Sequence, residues 1–224
     1  PRARGAALSF RLMGIPVEID LAFFLVIGVL GWVPSQPPMF SIIWLGVVFF
    51  SILWHELGHS IAFKAFGHDP QIRLWMLGGL AHSRTKRELG LGQNVVVALA
   101  GPFAMFLLGG AAWWTARALS PTIDYSLWNL LRQLVFVNIG WGLLNLLPML
   151  PLDGGVVMRS LLAMVSPRRG VRIAHAVSVF IAAGTVAISV MNGLRFTAII
   201  ALMLGATNLS ALRKPEPALA GTRS

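Results

Sequence analysis

The stretch that decides the architecture is Phe40-Ser-Ile-Ile-Trp-Leu-Gly-Val-Val-Phe-Phe-Ser-Ile-Leu-Trp-His55-Glu56-Leu57-Gly58-His59-Ser-Ile-Ala-Phe-Lys-Ala-Phe66. It is long and apolar enough to cross a hydrocarbon core about 30 Å thick as a helix. Apart from Lys64 near its end, its ionisable side chains are His55, Glu56 and His59. Such groups at membrane depth are costly: insertion scales charge about 2.5–3.5 kcal/mol for an Asp at a helix centre. Three of them within five residues need a compensating partner, and a divalent metal is the obvious one. At about 3.6 residues per turn, His55 and His59 stand one above the other on a single helical face, with Glu56 beside them. Two imidazoles and a neighbouring carboxylate suit a zinc site that activates water, with Glu56 as the candidate base. Gly58 leaves room for another backbone to approach this helix closely.

The rest of the chain fits a membrane protein. Of 224 residues, 56% are hydrophobic and 12% charged, against about 25% charged in ordinary soluble domains. Apolar runs at 17–33, 40–66, 94–116, 128–147, 174–191 and 196–209 predict six transmembrane helices. The first is too long for a signal-peptide core and is followed by Trp32, Pro34 and Pro37 rather than a small-residue cleavage site. There is no cysteine, so disulfides and thiolate zinc sites are excluded, leaving His and carboxylates as the strong ligands.

The net charge of +10 is read as a topology signal, not as nucleic-acid binding. With both termini placed in the cytoplasm, the inner side carries Arg2, Arg4, Arg11, Lys64, Arg73, Arg84, Lys86, Arg87, Arg159, Arg168, Arg169, Arg172, Arg213, Lys214 and Arg223. Only Arg117, Arg132 and Arg195 remain outside. Trp32, Trp113, Trp114 and Trp128 fall at the outer ends of spans, where amphipathic rings settle. The prediction is a multi-pass cell-membrane protein with six spans and cytoplasmic termini. The membrane domain is placed at 1–212, its core at about 40–165, and 213–224 reads as a linker or truncated tail.

Between the second and third spans, Ile72-Arg-Leu-Trp-Met-Leu77 and Leu80-Ala81 flank Gly78-Gly79, which predicts a short β-hairpin turning at the glycines. Beside a membrane this hairpin is expected to be re-entrant, its polar backbone satisfied by protein or a wet cavity.

A third ligand is sought in Asn145-Leu-Leu-Pro148-Met-Leu-Pro151-Leu-Asp153-Gly154-Gly155. Two prolines break the fourth helix there, and the glycines after Asp153 permit backbone angles that help aim its carboxylate. Asp153 reads either as the N-cap of a helix over 156–165 or as the carboxylate completing a His–His–carboxylate zinc site.

These two stretches, in this order and about ninety residues apart, resemble the site-2 protease family of intramembrane zinc metalloproteases. The Gly78-Gly79 loop and Gly14-Ile-Pro-Val-Glu-Ile19 are similar to six-span members. The resemblance implies one zinc per chain on His55, His59 and Asp153, with Glu56 activating water and Asn145 holding the substrate carbonyl or its oxyanion. It also implies a single-span membrane protein as substrate, such as a membrane-bound anti-sigma or transcription factor, and often a CBS domain pair beyond the last span. The Asn that relatives carry after Gly-Pro in the third helix is missing from Gly101-Pro102-Phe103-Ala104-Met105, so no role is transferred there. His68 lies outside the spacing of the soluble extended zinc motif and reads as an interfacial loop residue. His82 ends the hairpin, and His175 reads as interfacial at the start of the fifth span. The rival functions are a metal-ion transporter and an inactive, protease-like membrane chaperone. Oligomeric state is open.

Overall fold

The computed structural model describes residues 6–31, 36–76, 78–119 and 124–213. Arg2, Arg4, Trp32, the end of the first expected span, Leu77 and the tail beyond Arg213 lie outside them. The elements run β1 (Ala6–Leu12), β2 (Ile15–Asp20), α1 (Leu21–Gly31), α2 (Pro38–Ala65), β3 (Pro70–Trp75), β4 (Gly78–Ser83), α3 (Leu91–Leu119), α4 (Tyr125–Asn145), α5 (Asp153–Val165), α6 (Pro167–Met191) and α7 (Arg195–Arg213). The protein is mostly helical, with one small sheet. It divides into two compact units, meeting in sequence between Leu146 and Leu147.

In the first unit the strands form one sheet in the order β1-β2-β3-β4. Met13 and Gly14, both with positive φ (51° and 76°), turn β1 back on β2, as a two-residue hairpin loop requires. β2 and β3 pair in parallel, with Val17 opposite Ile72 and Ile19 opposite Leu74. Parallel neighbours need a crossover, and here α1 and α2 supply it as an outward and a returning helix. Ile15, Val17, Ile19, Ile72 and Leu74 are buried together with Phe23, Ile27, Val47, Val48, Ile52, Leu53 and Leu57. Alternate residues turn away, and there Arg73 bridges Asp20 at 2.9 Å.

Two expectations are corrected. The first apolar run does not begin a helix at Val17: residues up to Asp20 are strand, and α1 starts at Leu21. Val17-Glu18-Ile19-Asp20 alternates with period two, a pattern that hydropathy averaging merges into the following helix. The hairpin exists, but Gly78 pairs with Trp75 and Gly79 with Leu74, so both glycines lie in β4 and not in the turn.

α3 runs close along α2. A Cβ at Gly58 would stand 2.5 Å from the Ala100 carbonyl oxygen, and Trp54 Nε1 donates to Ala104 O at 2.8 Å. α4 is capped by Asp124, whose carboxylate accepts from the Ser126 and Leu127 amides. It buries Asn129, Gln133 and Asn138, and Asn138 Nδ2 donates to Ser51 Oγ at 2.8 Å, one turn before His55.

The second unit is α5, α6 and α7 with the segment leading into α5, in which the Leu150–Pro151 peptide is cis. α4 ends at Asn145, ahead of Pro148 and Pro151 as expected. α5 begins at Asp153, three residues before the expected start at 156, and α6 begins at Pro167 rather than 174. Among the described residues, Pro38–Ala65, Leu91–Leu119 and Arg169–Met191 are long and apolar enough to cross a membrane, and Thr197–Arg213 is a shorter apolar helix.

Candidate metal centre

Helical spacing alone sets His55 above His59, and the surrounding elements then fix how the two rings face. His55, Glu56 and His59 are 7%, 5% and 7% exposed. His59 Nδ1 lies 2.6 Å from the Val97 carbonyl of α3. A carbonyl only accepts, so Nδ1 carries the proton and Nε2 keeps its lone pair, the second-sphere arrangement that orients metal-binding imidazoles. That Nε2 stands 3.0 Å from His55 Nε2, with the rings edge-on at 88°. A tetrahedral zinc ion, at about 2.0–2.1 Å from each nitrogen, holds its ligand nitrogens about 3.3 Å apart. The pair fits zinc.

Two glycines form walls. A Cβ at Gly101 would stand 2.4 Å from His59 Nε2 and 2.7 Å from His55 Cε1. A Cβ at Gly79 would stand 2.4 Å from Glu56 Oε1 and 2.5 Å from its Cγ. β4 therefore lies directly over the Glu56 side chain, and that carboxylate is confined next to the histidine pair. Imidazole lone pairs beside a confined carboxylate can hold a cation and accept a proton from water.

The other anticipated residues fall as follows. Asn145 is the last residue of α4, half-buried, in the first unit. Asp153 is the first residue of α5, half-buried, in the second unit. The N-cap of α5 is Leu152, without a side-chain cap bond, so Asp153 is not the capping residue. His68 lies in the loop between α2 and β3, as expected, and its side chain is buried, with Nδ1 3.1 Å from Ser83 Oγ. His175 lies within α6 and faces Asn208, Nδ1 to Oδ1 2.8 Å. Sequence reading missed Gly101 and the Val97 carbonyl. The Gly-Pro pair at 101–102 marks the spot, but what a glycine makes room for is invisible without its neighbour.

Residues 115–185, which include the Asn145–Gly155 stretch but not the histidines, match the model of peptidase family M50. A zinc metalloprotease of Methanocaldococcus jannaschii is 30% identical over 156 residues, 69% of this chain and 44% of that protein. A Synechocystis protein provisionally named a zinc metalloprotease is 31% identical over 182 residues, 74% of this chain and 47% of that protein. The chain thus spans less than half the length of these relatives. The solved structure of a site-2 protease from Methanocaldococcus jannaschii matches with a TM-score of 0.64 at 23% identity, covering 96% of this chain and 99% of that one, a likeness that carries the fold. With the family match, the relatives and the fold in agreement, this chain belongs to the site-2 protease family, peptidase family M50.

Proposed function

We propose that this protein is an intramembrane zinc endopeptidase that cuts a membrane protein within or near its transmembrane segment. The observation that carries this reading is the paired Nε2 atoms of His55 and His59, oriented by the Val97 carbonyl, beside a Glu56 carboxylate confined by Gly79. The ion is zinc. Asp153 is the third ligand, supported by its carboxylate chemistry, its place at a proline-broken helix start and the absence of cysteine from the sequence. When bound, the ion supplies Lewis acidity that lowers the pKa of water towards about 7.

Glu56 takes the proton of the attacking water on a carboxylate oxygen and returns it to the leaving amide nitrogen. The His59 Nδ1–H bond to Val97 holds the tautomer through the cycle. Asn145 donates its side-chain amide to the developing oxyanion. The substrate is a single-span membrane protein, and the chain crosses the membrane six times with both ends in the cytoplasm, a reading supported by its basic-residue distribution.

A peptide bond in a helix is shielded, so the substrate must enter unwound. Among the described residues β4 is the sheet's last strand, and its outer edge suits strand addition. Arg84 N donates to Asp69 O, so by antiparallel alternation the backbone groups of Gly79, Ala81 and Ser83 face away from β3. They offer the substrate hydrogen bonds that the bilayer cannot supply.

The test is cleavage of a single-span substrate by purified protein with and without a chelator. Glu56→Gln is expected to abolish hydrolysis with zinc retained, because an amide keeps the shape but does not take the proton. A near-normal rate in that variant, or full zinc occupancy in a His55→Ala, Asp153→Ala double variant, overturns the assignment. Zinc uptake into sealed vesicles without cleavage would favour a transporter instead.

A further inference from the structure

We propose that Ser178, Asn208 and His175, on the two helices that follow α5, are positioning residues that set the place of Asp153 through the backbone of Leu150. Leu150 is gripped at both of its polar backbone atoms. Its N–H donates to Ser178 Oγ of α6 at 2.9 Å, and its carbonyl accepts from Asn208 Nδ2 of α7 at 2.7 Å. Both gripping side chains are buried.

The donor and acceptor inventory of the network closes. Ser178 spends its hydroxyl proton on the Ala174 carbonyl at 2.7 Å and so faces Leu150 with a lone pair. The Asn208 amide gives its second proton to Leu204 O at 2.8 Å, which leaves Oδ1 as acceptor for His175 Nδ1 at 2.8 Å. That pattern fixes both the amide orientation of Asn208 and the proton on His175 Nδ1.

The grip reaches Asp153 by a short rigid route. Leu152 N donates to Met149 O at 2.9 Å. A Cβ at Gly155 would stand 2.4 Å from Leu150 N and from the Met149 carbonyl carbon, so the first turn of α5 lies hard against the gripped peptide. Asp153 sits between these two points. Ala at 178 or Leu at 208 would leave a buried Leu150 backbone group without its partner, so the clamp holds this segment, and with it Asp153, in one conformation.

This inference rests on Asp153 being a zinc ligand. The experiment measures zinc affinity of the purified full chain by competition with a chromophoric chelator, together with the visible spectrum of the cobalt-substituted protein. Ser178→Ala and Asn208→Leu are each expected to weaken zinc binding about tenfold or more, the range of second-sphere losses, and to shift the cobalt bands. Ser178→Thr, which keeps the hydroxyl, is expected to restore both. His175→Phe is expected to give a smaller loss, because it acts only through Asn208. Amide exchange of residues 148–153 in the metal-free protein should quicken in Ser178→Ala and not in Ser178→Thr. Parental affinity and cobalt spectrum in Ser178→Ala, with zinc lost in Asp153→Ala, overturns the positioning role and leaves the ligand reading intact. Parental affinity in Asp153→Ala itself overturns the ligand reading, and this inference with it. Should Asn208→Leu not fold, the Ser178 pair still decides.

Discussion

Gly101 and Gly79 approach the same cluster from opposite elements, and the atoms they would strike differ. A methyl group at 101 meets two imidazoles; at 79 the three atoms nearest to it all belong to the Glu56 side chain. Gly101→Ala is therefore expected to lower zinc occupancy, read by elemental analysis. Gly79→Ala is expected to leave zinc bound while lowering kcat about a hundredfold, since a displacement of about 1 Å in a reacting group costs on that order. Equal zinc loss in both variants would show that Glu56 is not separable from the metal ligands. Further from the chemistry, Ser51→Ala leaves the buried Asn138 amide short of an acceptor and should cost about 1 kcal/mol of stability in thermal melts. His55, Glu56 and His59 were legible because charged residues in an apolar run violate the composition around them. The glycines were not, because their role depends on what stands across from them.

At the scale of elements, the helices were read from hydropathy and the sheet mostly was not. A β-hairpin of apolar residues announces itself through its glycines, but β1 and β2 are short, and their alternation is continuous with α1. Their pairing makes β3 an interior strand, hydrogen-bonded on both sides, which leaves β4 as the edge beside Glu56. Proline at Leu74 would thus disrupt the sheet itself. Ala81→Pro is the informative change: it removes an outward-facing donor at an open edge, where proline is tolerated. Cleavage is expected to fall about tenfold with zinc content and melting temperature unchanged. An unchanged rate would show that the substrate does not join this edge.

On the scale of the whole molecule, the parallel pairing of β2 with β3 requires that the chain leave the sheet through α1 and return to it through α2. The N-terminal strands and the β3–β4 hairpin therefore belong to one sheet and share a side, whatever the total number of passes. The described part of α1 rises only about 16 Å and α2 about 42 Å, so helix length alone does not count the passes. Labelling does. The sequence has no cysteine, so each introduced cysteine is a unique probe. Tyr125→Cys, before α4, and Asn192→Cys, between α6 and α7, are expected to react with a membrane-impermeant maleimide in intact cells. Ser9→Cys on β1 and Glu88→Cys between β4 and α3 are expected to react only after permeabilisation. Each variant must retain cleavage for its labelling to count. Reaction of Ser9→Cys and Asn192→Cys from the same side would remove the six-span topology, because an odd number of crossings must separate them. The positive-inside count would then reflect lipid binding by Arg84, Lys86 and Arg87 rather than orientation.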